Sequence, residues 1–261
     1  MLAAALVFSC ASLEAGKGDP LSSESAGNLS MKEQYEAGHW VSGSKNGLLT
    51  IIGVSNPQLR QETEIQNARE DAARKAAMFH GIQGSVRTVN RTGSGLLDYA
   101  FDSSVDLVYD FNYEKYLDKL QYEPDKDIFR FDGAVFIRMQ YQVPGLADIS
   151  YTSAKNTDGR PVWISSADLP RFEGFTTVVG FSGNQRWLKD TITKSGENAI
   201  ARLIEGSSSR VTTGETAVSG YGASSVIYSQ SAGRLLNFRV LEFWIDPASR
   251  AVWTLAAAKV L

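Results

Sequence analysis

"LLTIIGVS" at residues 48–55 runs directly into "NPQLRQETEIQNAREDAARKAAMFHG" at 56–81, and the reading of this junction decides the fold. The β-branched run reads as a buried strand. Asn56 suits an N-cap, Pro57 the first helical position, and Gly81 the residue just past a helix. Between them Ile65, Ala68, Ala72, Ala76 and Phe79 recur at spacings of three and four and mark one face. Glu70 with Arg74, and Asp71 with Lys75, form favourable pairs four apart. A face built of alanine predicts a helix lying close on something flat, a sheet.

The same pattern is written twice. "HWVSGSKNGLLTIIGVS" (39–55) and "RPVWISSADLPRFEGFTTVVGFS" (160–182) share Trp, Val or Ile, Ser, a polar Gly-containing loop, then two β-branched residues, Gly, an apolar residue and Ser. After the second comes "GNQRWLKDTITKSGENAIARLIEG", in which Leu188, Ile192, Ala199, Leu203 and Ile204 trace a helical face and Gly206 stands at the end. Gly196 inside that helix costs about 1 kcal/mol relative to alanine. Asn198-Ala199 stands at the same offset from Gly180 as Asp71-Ala72 from Gly53. Each helix is followed by a polar, β-branched strand, "GSVRTVNRT" or "SSSRVTTGETAV". Each copy closes on a hairpin, "LQYEPDKDIFRFDGAVFIRMQYQV" or "LEFWIDPASRAVWTLAAAKVL", with Pro and Asp in its turn. Val135, Ile137 and Met139 alternate with Phe136, Arg138 and Gln140 as in a half-buried strand, whereas the last strand is apolar on both faces. The expectation is an α+β protein of two tandem copies of a small domain, each with one long helix packed on an antiparallel-rich sheet. The copies span 37–143 and 160–261, joined by a linker at 144–159. Trp40 and Trp163 read as packing anchors. Gly53 and Gly180 read as points of close helix approach.

The 261 residues carry a net charge of −3, which gives no electrostatic case for nucleic-acid binding. Two histidines and one cysteine leave little for a metal site, and neither a metal nor a cofactor is expected. The chain opens "MLAAALVFSCASLEAGKGDP", an apolar stretch running to Ser9 and Cys10. This resembles the end of a bacterial lipoprotein signal peptide. Residues 1–9 would be removed, Cys10 would carry acyl chains, and 10–36 would form a flexible tether. The match departs from the usual pattern in lacking a basic n-region, which a late start codon would explain, and in the bulk of Phe8.

The order Trp-[Val/Ile], strand ending Gly-x-Ser, helix "AREDAARKAA", Ser/Val/Thr strand and aromatic hairpin resembles the Lpp-twenty family of bacterial envelope lipoproteins. Its relatives include flagellar basal-disc lipoproteins and the N-terminal domain of the flagellar T-ring protein. The second helix, "TKSGENAIARLI", departs from the family's Ala/Arg richness. The resemblance implies a lipid-anchored α+β module at the outer membrane, facing the periplasm, with no catalytic residues to carry over.

Asp98, Asp102, Asp106 and Asp110 recur every four residues in "LLDYAFDSSVDLVYDFNYEKYLDKL". On a helix they form an acidic stripe, a surface for a basic partner. Ser42-Gly43-Ser44-Lys45 matches Ser-x-x-Lys but lies in a Gly-rich loop without its companion motifs, and "GFSGN" misses a nucleophile elbow by its last glycine. The sequence therefore predicts a non-enzymatic, lipid-anchored envelope protein acting through contacts with another envelope protein or a second copy of itself. The alternative is a periplasmic small-ligand binding or sensing module with its site between the two copies. A sizeable pocket lined from both copies favours the second reading; an exposed sheet edge favours the first.

Overall fold

In the computed structural model, which describes residues 40–261 apart from 93–98, 150, 152, 158, 167, 208–210 and 220–221, the chain forms two antiparallel sheets and two long helices. The α+β class is as expected. The smaller sheet holds β2 (Ser44–Lys45), β3 (Leu48–Ser55), β8 (Ala134–Gln142) and β6 (Leu120–Gln121) in that order, with β7 (Ile128–Phe131) also on β8. The larger sheet runs β5 (Tyr99–Tyr109), β4 (Ile82–Thr92), β11 (Gly222–Ile245), β12 (Val252–Val260) and β9 (Thr176–Ser182). β1 (Trp40–Val41) and β10 (Val211–Ser219) pair with β11 as well, so this 24-residue strand is the spine of the molecule.

Helix α1 (Gln61–His80) lies on the smaller sheet because its alanine face meets a flat apolar one. Ala68, Ala72 and Ala76 are fully buried against Leu49, Ile51, Val135, Ile137 and Met139. The Glu70–Arg74 and Asp71–Lys75 pairs form, at 3.4 and 2.7 Å. The helix starts later than the predicted Asn56 cap. Asn56 Nδ2 instead donates to Asp190, and Glu64 reaches back to accept the Gln58 N–H at 3.0 Å. Helices α2 (Glu114–Leu117) and α3 (Pro124–Asp127) are single turns. Helix α4 (Leu188–Ser207) packs Ala199, Ile200, Leu203 and Ile204 on the larger sheet.

The two strand–helix junctions share a geometry. A Cβ on Gly53 would stand 2.0 Å from the Ala68 carbonyl oxygen, and one on Gly180 2.0 Å from that of Ser195. Only glycine lets the helix come this close. The helices also bond the strands they cross. Asp71 accepts the Val54 N–H at 2.9 Å and Lys75 Nζ donates to the Ile52 carbonyl at 2.7 Å. At the matching positions Asn198 and Arg202 donate to the Phe181 and Val179 carbonyls, both at 2.7 Å. In each half the strand bearing the glycine pairs with the last strand, Gly53 opposite Ile137 and Gly180 opposite Thr254.

The halves are nonetheless interleaved. β4 of the first joins β11 of the second from Ile82–Leu235 to Thr92–Ser225, so its hairpin with β5 extends the larger sheet. The second face of the smaller sheet, Ile52, Val54, Ala134 and Phe136, packs on Leu188, Ile192, Phe243 and Val252. β8 is therefore buried on both faces over residues 134–137 rather than half-buried as its alternation suggested. The predicted hairpin turn also moves. Pro124–Asp127 is helical, and the chain reverses at Asp132-Gly133, both at positive φ (49° and 74°). That is the turn whose twist matches paired strands.

The acidic series needs the largest correction. It is not helical: Asp102 and Asp106 lie in strand β5, opposite Val89 and Ser85. A spacing of four is even, so it marks one face of a strand as well as one face of a helix. Aromatic and β-branched neighbours, together with a partner strand, favour the strand. Asp98 and the Asp102 side chain fall outside what is described. Asp106 is exposed, and Asp110 lies beyond the strand, pairing with Lys115 and accepting the Asn112 N–H.

Candidate functional site

The most distinctive chemistry sits on β11. Its pairing with β12 slips twice, between Leu236 and Arg239 and between Val240 and Glu242, and Asn237 adopts φ 54°. Such bulges add a residue and re-aim the side chains that follow. Strict alternation would send Arg239 and Glu242 to opposite faces. Instead they pair with Ala257 and Leu255, two apart on β12, and share one face. The chain between the halves covers that face: Ile149 and Trp163 pack on Leu241, Trp244, Leu255 and Ala257. The predicted linker thus includes part of a packed lid over the sheet.

Glu242 is fully buried. It accepts from Trp163 Nε1 at 2.7 Å, Ser153 Oγ at 2.9 Å and Tyr151 OH at 3.0 Å. Burial pushes its carboxyl up to about 7, against the pull of these three donors and of the Lys155 charge. Burial also lowers Lys155 and, with Glu242, lifts Tyr151 far above the usual phenol range. These three donors come from the cover, so Glu242 ties the covering segment to the sheet. With no exposed surface, it has no route to a substrate.

Arg239 is only 3% exposed. Its guanidinium lies over the rings of Phe175 and Phe79 at 4.9 and 5.4 Å, and Nη1 donates to Ser44 Oγ at 2.8 Å. Nη2 is buried without a partner. Burial alone pulls the group down to about 10, so it stays charged at neutral pH.

Beside this strand a cavity of ≈ 470 Å³ opens between the two long helices. α1 contributes Asp71, Arg74, Lys75 and Met78; α4 contributes Lys189, Ile192, Thr193, Gly196, Glu197 and Ile200. β3, the inner face of β5 (Val105, Leu107, Tyr109) and β11 (Phe238, Arg239, Val240, Phe243) complete the wall. The side chains are mostly apolar with a few charged groups, and the volume suits a small organic ligand. Asp71 is occupied by Lys75, Arg74 by Glu70 and Glu197 by Lys194. Among the described residues neither Lys189 nor Arg239 has a carboxylate partner. A Cβ on Gly196 would meet nothing within 4 Å, so the helix leaves open space where a side chain could stand.

Of the residues singled out from sequence, Gly53 and Gly180 sit at the strand–helix contacts. The two tryptophan segments converge on one stretch of β11 without being equivalent. Trp40 is in a strand opposite Phe243, its side chain outside what is described, whereas Trp163 is in a buried 3₁₀ turn and bonds Glu242. Cys10 lies outside the described residues. Asp106 and Asp110 are not among the residues lining the cavity. Sequence reasoning passed over Arg239 and Glu242, although two charges inside "RVLEFWI" are out of place in a buried strand. Among the described residues no cluster of three His, Cys, Asp or Glu could hold a metal, and no helix is long and apolar enough to cross a membrane. No protein-family profile, curated protein or solved structure matches the chain, so the likeness to the Lpp-twenty family rests on the quoted motifs.

Proposed function

We propose that this chain is a non-catalytic binding module of the bacterial envelope, tethered through Cys10, that holds a small, largely apolar ligand between its two halves. The observation that carries the reading is the ≈ 470 Å³ cavity walled by both long helices and both sheets. Gly196 supports it: a mid-helix glycine loses about 1 kcal/mol relative to alanine, and here no neighbour requires it. What the glycine secures is room. The matched glycine contacts and helix-to-strand bonds further support descent of the halves from one duplicated unit, which would place this site at the seam between copies.

Assembly through the open edge of β3 or β9 has less behind it. The Val54 N–H and Ile52 carbonyl of β3 are taken by Asp71 and Lys75, and α4 bonds β9 in the same way. Edges occupied by a protein's own side chains recruit other strands poorly.

The test is extraction of protein purified from envelope membranes into organic solvent, followed by mass spectrometry. A small molecule bound to the wild type and missing from Gly196→Phe supports the reading. A wild type that carries none, and whose melting temperature no envelope lipid extract raises, removes it. Fractionation of Cys10→Ala tests the anchor separately: the protein leaves the membrane fraction if Cys10 is acylated, and its retention there rules the anchor out.

A further inference from the structure

We propose that copies of this chain join head to tail, β10 of one pairing antiparallel with β5 of the next, and close into a ring. The inference rests on the correspondence between the halves and is independent of the ligand.

The offset that carries Gly53 to Gly180 and Asp71 to Asn198 also carries Gly84 to Val211 and Thr92 to Ser219. From those positions each half forms a hairpin of nine rungs. The first runs from Gly84–Leu107 to Thr92–Tyr99, the second from Val211–Gln230 to Ser219–Gly222. Inside the chain the first strand of one hairpin, β4, lies beside the second strand of the other, β11, with Thr92 opposite Ser225. This junction leaves over one first strand, β10, and one second strand, β5. They stand at opposite edges of the four, and among the described residues each has a strand partner on one side only. Three antiparallel pairings set them running in opposite directions. β10 laid against β5 of another copy therefore repeats a junction already present within each molecule. Its register, carried over, sets Ser219 opposite Asp102, Ala217 opposite Ser104 and Glu215 opposite Asp106.

Pairing across a two-fold axis, β10 with β10 or β5 with β5, would leave one edge open on every copy, whereas the head-to-tail contact uses both. The stagger suits closure. Tyr99 lies level with Ser225, through Thr92, although its counterpart on β11 is Gly222, a step of three residues for every two strands. Such a step inclines the strands by roughly 45° to the axis about which a sheet closes, as in barrels.

The test places Ser104→Cys and Ala217→Cys in one chain and oxidises it in envelope membranes. Within a molecule these positions are three strand spacings apart, at least about 14 Å, beyond the reach of a disulfide. A ladder of dimers, trimers and higher species on a non-reducing gel, requiring both cysteines, supports the ring. Equal crosslinking by either single variant, or a double variant that stays monomeric, overturns it. Mass photometry in mild detergent needs no new cysteine. One multimer mass is expected of the wild type, and an unbounded series of masses overturns closure. Glu215→Lys turns the one like-charged pair of this register into an opposite one, which should tighten each contact by about two- to thirty-fold and raise the multimer fraction. A fraction that stays level or falls overturns the contact. None of these outcomes bears on the solvent-extraction test, so the ligand-binding reading stands or falls separately.

Discussion

Replacing Glu242 by glutamine should make the protein more stable at alkaline pH, against the expectation that deleting a buried, hydrogen-bonded charge is harmful. The carboxyl has an ordinary value of 4.5 when unfolded and about 7 when folded. Between those values the folded protein holds a proton that the unfolded chain has released. Stability therefore falls as pH rises through this window and levels off above it. The difference corresponds to about 3 kcal/mol in all, of which roughly 2–3 kcal/mol develops between pH 5 and pH 8. Glutamine fits the donors present. Its oxygen can replace Oε2, accepting from Trp163 and Tyr151, while its NH₂ replaces Oε1 and donates to the Ser153 hydroxyl. Urea denaturation of wild type and Glu242→Gln, at both pH values and one ionic strength, reads the effect, because all other titrations are common to the pair. The variant should lie close to the wild type at pH 5 and above it by roughly 2–3 kcal/mol at pH 8. A variant less stable at pH 8, or one with the wild-type pH dependence, would refute the buried-proton argument.

Gly53→Ala and Gly180→Ala should each destabilise by about 2–3 kcal/mol or more, because the new methyl meets a backbone oxygen at 2.0 Å and the helix must move away; chemical denaturation measures it. Gly196→Ala should do the opposite, adding about 0.5–1 kcal/mol by helix propensity alone, and a loss of stability there would contradict the open cavity wall. Asp71→Asn should cost about 1 kcal/mol, since an amide oxygen can still accept the Val54 N–H. Asp71→Leu should cost about 2–4 kcal/mol by stranding that N–H and Lys75 together. Equal losses from the two would sever the proposed equivalence of Asp71 and Asn198.

Local elements were legible wherever a single face decided them. The alanine face of α1 and the apolar face of α4 follow from residue spacing because each meets one sheet, and β12, apolar on both faces, is buried between α4 and the covering segment. Reading failed where spacing had two solutions. The four-residue acidic repeat satisfies a helix and a strand equally, and only β4 alongside chose the strand. It failed again where a bulge broke alternation, which hid the shared face of Arg239 and Glu242.

What the sequence determined by itself was a strand, a glycine, a helix of small residues and a closing hairpin, written twice. Each depends on neighbours a few residues away or on the intrinsic preferences of the chain. The tertiary structure alone decided how the halves combine: β4 joined to β11, a covering segment tied down by one buried carboxylate, and a cavity between two helices. Those features arise from groups far apart in the chain, 198 residues in the bond from Ser42 Oγ to the Val240 carbonyl. No local pattern encodes such a meeting, because its free energy comes from burial and charge that exist only once both surfaces are in place.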